Sequence, residues 1–165
     1  MNKHIITFLL IVFALSFWNC EKDDICAETT PTTPLIVIEF YDFINQSQLK
    51  NVTNLGVAES SQTTGFAFNG VSTISIPLKT NEDSTTFNFV LNGTDNDATN
   101  DIADSIIFSY NRTNTYISRA CGYKTTFQLN ETNGLNISSS NWILDYEIVQ
   151  PNIENNNETH VKIYF

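Results

Sequence analysis

The sequence predicts an all-β protein, an antiparallel β-sandwich that is immunoglobulin-like in the broad sense. Apolar and polar residues alternate in short runs over most of the chain after residue 35, and residues 123–129 are a clear example. Turn-forming pairs such as Asn69-Gly70 and Asn92-Gly93 separate these runs. No segment shows the apolar periodicity of an amphipathic helix. Roughly seven to nine short strands are therefore expected, and a small closed barrel is the alternative architecture.

Two of the early runs predict where a strand lies within its sheet. Residues 35–41 are almost entirely apolar, which predicts a central strand buried on both faces. Ile74, Ile76 and Leu78 alternate with polar residues and with Pro77. Because proline cannot donate a hydrogen bond to a neighbouring strand, this run is expected at a sheet edge.

The second half of the chain also shows alternating runs that predict strands. Residues 106–110 begin a strand that is predicted to turn near residues 111–114, and residues 116–118 return. Residues 142–148 form a further alternating run. The chain ends on an alternating run, residues 161–165, which is predicted to be a strand held in a sheet.

The N-terminal residues indicate export and lipidation. An apolar stretch over residues 5–18 follows Lys3, and it is too short for a membrane-spanning helix but typical of a signal peptide. Phe17-Trp18-Asn19-Cys20 then resembles a lipobox, although residues 17–19 are not all small. We therefore predict a signal peptide over residues 1–19 and a lipidated Cys20 that anchors the protein in the bilayer. The alternative is a secreted protein in which Cys20 joins a disulfide.

A short charged tether is expected to follow the anchor. Glu21-Lys22-Asp23-Asp24 resembles the export signal of surface lipoproteins in Bacteroidota, which would place the protein outside the outer membrane; the alternatives are a merely solvated tether and the periplasmic face. The Thr/Pro-rich stretch that follows favours an extended backbone. We assign residues 20–34 to the tether and residues 35–165 to a single β-sandwich domain.

Cysteine usage predicts one disulfide. If Cys20 carries lipid, Cys26 and Cys121 remain. In an oxidising compartment such an even remainder usually pairs, so we expect a Cys26–Cys121 bridge. The alternative is two unrelated free thiols.

Composition and motifs argue against several functions. The processed chain carries a charge of −11, because Lys3 is removed while all 18 acidic residues remain, and this disfavours nucleic-acid partners. The sequence contains no Gly-x-Ser-x-Gly, His-Glu-x-x-His or Gly-rich phosphate loop. The one histidine after the signal peptide, His160, is expected to point to solvent. We therefore predict no enzymatic activity and no cofactor.

Weaker patterns suggest candidate sites. Asp95, Asp97 and Asp101 are spaced in part like a calcium loop, but the glycine and glutamate of an EF-hand are missing, so a solvated connection is preferred. Ser84 and Ser105 each follow an aspartate in a three-residue pattern resembling a bacterial O-glycosylation site.

Two aromatic pairs could in principle form a sugar platform. Trp142 and Tyr146 alternate on one predicted strand, and Phe66 and Phe68 alternate on another. In both pairs the alternation favours core packing over ligand binding.

Three segments carry a resemblance to a known family. Residues 20–26 (CEKDDIC), residues 35–42 and residues 116–124 (YISRACGYK) resemble an uncharacterised family of Bacteroidota lipoproteins known as a domain of unknown function. The resemblance implies an outer-membrane lipoprotein that works beside a partner such as an outer-membrane β-barrel or another envelope protein. Arg119 could bind a partner carboxylate, although a surface arginine or an internal ion pair is the simpler interpretation.

Two functions therefore remain open at the level of sequence. The preferred one is a non-catalytic accessory or interaction module for an envelope protein complex. The alternative is an extracellular module that binds glycans or another solute. A broad apolar surface would favour the first function, and an exposed aromatic group in a cleft would favour the second.

Overall fold

A computed structural model describes residues 25–165. Within these residues the chain forms eleven strands: β1 (Ile36–Tyr41), β2 (Leu55–Glu59), β3 (Phe66–Phe68), β4 (Thr73–Ile76), β5 (Ser84–Leu91), β6 (Ile102–Ser118), β7 (Gly122–Leu129), β8 (Leu135–Ile137), β9 (Asp145–Ile148), β10 (Asn152–Ile153) and β11 (Val161–Tyr164). A single 3₁₀ turn, Ala98–Asn100, precedes β6.

The strands form two open sheets. The smaller sheet has the order β4-β1-β11-β9. The larger sheet has the order β10-β7-β6-β5-β2-β3, and the short strand β8 also pairs with β6. Most pairs are antiparallel, whereas β1 and β11 pair in parallel. Both sheets have free edges, so the expected β-sandwich is confirmed and the closed barrel is wrong.

One hydrophobic core joins the two sheets, and Trp142 connects them directly. Its ring centroid lies 6.3 Å from that of Phe40 in β1, and its Nε1 donates to the carbonyl of Phe89 in β5 at 3.2 Å. Phe165 packs edge-on against the same indole, with centroids 5.3 Å apart. Aromatic side chains therefore fill the interior where these segments of the two sheets meet.

Asp104 fixes the segment that carries Trp142. Its buried carboxylate accepts hydrogen bonds from the backbone N–H groups of Asn141, Trp142 and Ile143 at 2.8–2.9 Å. Residues 141–143 are not in a strand, so these donors would otherwise lack partners in the interior. The carboxylate thus accepts the hydrogen bonds that the backbone carbonyls of a neighbouring strand would otherwise accept.

The described residues divide into two compact units. The smaller unit contains residues 25–31 and 116–123, and the larger one contains residues 32–115 and 124–165. The larger unit holds the two-sheet core described above. The smaller unit holds the Cys26–Cys121 pair.

Three positional expectations are confirmed. β1 is a central strand between β4 and β11, and Ile36, Val37, Ile38 and Phe40 are all buried. β4 is an edge strand that ends at Ile76, directly before Pro77. The last strand, β11, lies between β1 and β9.

The predicted turn at residues 111–114 is wrong, because β6 runs unbroken through them. Polar side chains there bond to neighbouring segments instead of folding back. Arg112 donates to Asp83 at 2.7 Å, and Asn114 accepts from the Thr125 hydroxyl at 2.8 Å. The chain reverses only after Ser118.

The expectation that His160 points to solvent is also wrong. Residue 160 extends the parallel pairing of β11 with β1: its N–H donates to the Val37 carbonyl, and its Nδ1 accepts from the Val37 N–H at 2.9 Å. The imidazole is fully buried, and its burial lowers the pKa of His160. Within residues 25–165, its Nε2 has no hydrogen-bond partner.

Candidate functional site

The smaller unit contains the predicted disulfide, which the structure confirms. The Cα atoms of Cys26 and Cys121 lie 5.0 Å apart, and the bridge links positions 95 residues apart in the sequence. Closing a loop of that length stabilises a fold by up to about 4–5 kcal/mol in the chain-entropy model. The predicted lipidation at Cys20 and the export signal over residues 21–24 lie outside the described residues.

The smaller unit also exposes two tyrosines. The rings of Tyr116 and Tyr123 meet edge-on with centroids 5.4 Å apart, and both side chains are largely exposed. Arg119 is exposed in the turn that separates β6 from β7. The choice between a surface arginine or internal ion pair, which is the simpler interpretation, and a role in binding a partner carboxylate stays untested.

The larger unit carries an ordered apolar loop over residues 42–50, which we call the apolar loop. It exposes Phe43 (42%), Ile44 (94%) and Leu49 (48%). Asp42 shapes the loop by accepting from the N–H groups of Ile44 and Asn45 at 3.0 and 2.8 Å. Lys50 forms an ion pair with Asp42 at 3.6 Å, so the only two charges in the loop face each other at its base.

A second feature of the larger unit is a cleft of about 470 Å³, which we call the mouth cleft. It lies between β3, an edge of the larger sheet, and residues 77–79, which follow the edge strand β4 of the smaller sheet. Its lining combines apolar and polar residues: Glu59, Gln62, Thr64, Gly65, Phe66, Pro77, Leu78, Lys79, Thr85 and Phe87. Its size is that of a small-ligand pocket.

Phe66 is the exposed aromatic wall of the mouth cleft. It pairs directly opposite Val57 of β2, whose side chain is buried, so both residues lie on the core-facing side of the sheet. Phe66 is nevertheless 44% exposed, because β3 is the last strand and the cleft opens beside it. Gly65 allows β3 to approach β2, since a Cβ there would lie 2.3 Å from the Val57 carbonyl oxygen.

A closed ring of hydrogen bonds holds the backbone of Lys79, which lines the cleft together with Phe66. The Lys79 N–H donates to the Thr85 hydroxyl at 2.9 Å, and the Tyr110 hydroxyl donates to the Lys79 carbonyl at 2.9 Å. Because Tyr110 has only that one proton, the Thr85 hydroxyl is the donor in their 2.6 Å contact. Thr85 and Tyr110 are both buried, so the backbone of Lys79 is rigidly held.

The charges of the mouth cleft are paired. The Lys79 ammonium lies 3.3 Å from Glu59 and 3.2 Å from Glu82. The hydrogen bond to Glu82, reinforced by Glu59, raises the pKa of Lys79. A hydrogen bond from the Ser61 hydroxyl, together with Lys79, lowers the pKa of Glu59. Both groups are therefore ionised at neutral pH, and within the lining their charges cancel.

The two aromatic pairs considered as sugar platforms differ. Trp142 is buried in the core and lies before β9 rather than on it, so it does not share a strand with Tyr146. The Tyr146 hydroxyl donates to the Leu135 carbonyl at 2.9 Å. Phe66 and Phe68 do stack side by side, with centroids 6.3 Å apart, and Phe66 faces the cleft. The core interpretation is wrong for Phe66.

The acidic candidates for calcium bond mostly to their own loop. Asp95 accepts from the Asp97 N–H at 2.8 Å and from the Asn100 amide at 3.2 Å, and Asp97 accepts from the Thr99 N–H at 3.1 Å. Asp101 is exposed after the 3₁₀ turn. In the part of the chain that the structure describes, no three acidic, histidine or cysteine side chains group as a metal site requires. The preference for a solvated connection over a calcium loop stays a prediction.

The two candidate glycosylation serines lie in different environments. Ser84 is exposed at the start of β5. Ser105 lies within β6, its hydroxyl donates to Asn88, and the preceding Asp104 is buried. Accessibility favours Ser84, and modification of either serine stays a prediction.

The sequence carries a signal for each of the two surfaces. Glu59 continues the phase of Leu55 and Val57, so a charged residue occupies a core-facing position at the end of a short strand. Phe43 and Ile44 are consecutive apolar residues outside any alternating run.

Over residues 25–165, no helix is long and apolar enough to cross a membrane.

Comparison with known proteins identifies a family. The model of a family described as "Family of unknown function (DUF6452)" matches residues 51–165. No curated protein and no solved structure matches the chain. The matched range includes every residue that lines the mouth cleft, whereas β1 and the apolar loop precede it. The expected membership in a family of unknown function is confirmed at that level: the chain belongs to the DUF6452 family.

Proposed function

We propose that this protein is a non-catalytic interaction module that is anchored in the outer membrane by lipid on Cys20 and serves an envelope protein complex. The apolar segment that ends at Cys20 supports the anchor, and the acidic tether supports display at the cell surface. The absence of enzymatic activity stays a prediction from the sequence.

The apolar loop is the observation that carries the interaction role. Its three exposed apolar side chains sit on a backbone fixed by Asp42, so a partner can bury them without first ordering the loop. Its two charges are paired at the base, so the tip is uncharged. The tip is the polar turn at residues 45–48, and the exposed Phe43, Ile44 and Leu49 flank it, so these three side chains suit an apolar depression on another protein.

Affinity purification tests this role. The full-length protein with a C-terminal tag is purified from membranes in mild detergent, and its partners are identified by mass spectrometry. We expect a reproducible, stoichiometric outer-membrane partner that Ile44→Asp loses. The matched control is Gln46→Asp, which adds the same charge at a neighbouring polar position and should keep the partner. Recovery of the protein alone, or retention by Ile44→Asp, would contradict the proposal.

The anchor is tested separately. Cys20→Ala should release the protein from membranes into the soluble fraction after a carbonate wash, because the acyl chains are lost. A variant that stays in the membrane pellet would refute lipidation as the anchor. Protease treatment of intact cells distinguishes the two membrane faces, since only surface protein is cleaved.

Binding of an extracellular solute is a second candidate function, and the mouth cleft favours it. The cleft contains an exposed aromatic ring, which is the discriminating feature expected for this alternative, and its lining also carries the Glu59–Lys79 ion pair. The two functions use different surfaces, so one does not exclude the other.

A further inference from the structure

The lining of the mouth cleft is amphipathic in a specific way. Its apolar lining comprises the exposed ring of Phe66 together with Pro77 and Leu78. The polar lining residues are Glu59, Lys79, Gln62 and Thr64, whose side chains end in a carboxylate, an ammonium, an amide and a hydroxyl. A ligand that fits needs one apolar face and several neutral hydrogen-bonding groups at its edge.

We propose that the mouth cleft binds a neutral pyranose sugar, whose C–H face lies on Phe66 and whose hydroxyls bond to Glu59, Lys79 and Gln62. This inference rests on the second function proposed above, solute binding, and names its ligand class. The negative face of an aromatic ring attracts the weakly positive C–H groups of a pyranose. Sugar hydroxyls both donate and accept, so they can bond to the carboxylate and the ammonium at once.

The paired charges argue for a neutral ligand. The Lys79 ammonium lies 3.3 Å from Glu59 within the lining. An anionic ligand would compete with both Glu59 and Glu82 for the Lys79 ammonium and would leave a carboxylate without its partner, which is costly. A cationic ligand would compete with Lys79 for Glu59, so it would gain one ion pair only by breaking another.

The same charges argue against a wholly apolar ligand. Such a ligand would cover Glu59 and Lys79 without replacing the water that bonds to them. The hydrogen-bond ring through Thr85 and Tyr110 fixes the backbone of Lys79, and the Ser61 hydroxyl donates to Glu59. The polar groups are therefore positioned in advance, which reduces the entropy lost on binding.

Saturation-transfer NMR on the full-length mature protein in a sugar-free zwitterionic detergent tests the proposal. The probes are the methyl glycosides of glucose, galactose, mannose and N-acetylglucosamine, and neutral trisaccharides of the same sugars. We expect at least one probe to receive saturation mainly at the C–H protons of one ring face. A trisaccharide that binds more tightly than its methyl glycoside would indicate a glycan segment, and equal affinity would indicate a free sugar.

Phe66→Ala should weaken this binding about tenfold or more, since it removes the stacking surface. The matched control is Tyr116→Ala, which removes another exposed aromatic ring that does not line the cleft; Tyr116 is 54% exposed against 44% for Phe66. It should bind the sugar as the natural protein does. Both variants should keep the far-ultraviolet circular dichroism of the parent.

Four results would overturn the inference. Sugar binding that survives Phe66→Ala would place the site elsewhere. Stronger binding of glucuronate than of the neutral sugars would contradict the charge argument. If nucleosides or dipeptides bind in a Phe66-dependent manner and no sugar does, the ligand class is wrong although solute binding stands. If neither set of probes binds, solute binding fails as well.

Discussion

Val57 lies between two phenylalanines with opposite environments. Phe89 of β5 and Phe66 of β3 both pair directly opposite it, so all three side chains lie on the core-facing side of the larger sheet. Phe89 is completely buried, whereas Phe66 is 44% exposed. The first lies in the sealed centre of the sandwich, and the second lies in its open mouth.

The difference shows that alternation determines which face a side chain occupies but not whether that face is covered. Trp142 does not belong to a strand, and its indole N–H donates to the Phe89 carbonyl. Beside Phe66 the smaller sheet has already ended at β4, and only residues 77–79 continue past it. A core-facing aromatic residue thus becomes a possible ligand surface.

The largest expected effect comes from removing the residue that seals the centre. Trp142→Ala should lower the free energy of unfolding by about 3–5 kcal/mol, because it leaves a cavity beside Phe40 and Phe165. Urea denaturation followed by circular dichroism measures the loss. A change below about 1 kcal/mol would mean that the centre is not sealed by this residue.

The next effect concerns Asp104, whose carboxylate holds the segment that carries Trp142. Asp104→Ala should cost about 2–4 kcal/mol, because it leaves the N–H groups of Trp142 and Ile143 buried without an acceptor. The exposed Asp101→Ala serves as the control and should change stability by less than about 0.5 kcal/mol. Equal midpoints of denaturation for the two variants would contradict the role of Asp104.

A smaller effect is expected at the mouth itself. Gly65→Ala should cost about 1–3 kcal/mol, because the added Cβ would meet the Val57 carbonyl oxygen and β3 would have to move away. The same movement should displace Phe66 and weaken ligand binding. If Gly65→Ala unfolds at the same urea concentration as the parent protein and binds the ligand equally well, β3 tolerates the added methyl group.

The smallest effect is a dependence of stability on pH at His160. Burial lowers its pKa in the folded state, so the unfolded chain binds the proton more readily. Stability should therefore be full above about pH 6.5 and fall as the pH decreases below it, by at most about 1.4 kcal/mol per pH unit. Glu158, whose charge opposes this shift, reduces the effect.

His160→Asn is the matched variant for that titration, because its amide oxygen can accept from the Val37 N–H and does not titrate. The difference in unfolding free energy between the two proteins should change between pH 7.5 and pH 5.5. A histidine with its ordinary pKa of about 6.5, as in the unfolded chain, takes up most of its proton over this range. A constant difference would show that His160 does not titrate with unfolding.

The sequence was sufficient for the fold class and for the positions of β1, β4 and β11, because apolar alternation and proline act locally. It was sufficient for the disulfide because only two cysteines remain after Cys20. It was not sufficient for β6, where Arg112 and Asn114 resemble turn residues until their partners Asp83 and Thr125 are known. His160 and Phe66 were misjudged for a related reason. Their burial depends on which strands end beside them, and that is a property of the two sheets together.

A comparison of Phe66→Ala with Phe89→Ala tests most directly the claim that the mouth is a surface open to a ligand and not a part of the core. Urea denaturation of both variants gives their free energies of unfolding. We expect Phe89→Ala to lose about 3–5 kcal/mol and Phe66→Ala roughly 1 kcal/mol, since only the first empties a sealed site. Equal losses in the two variants would contradict the claim and assign Phe66 to the core.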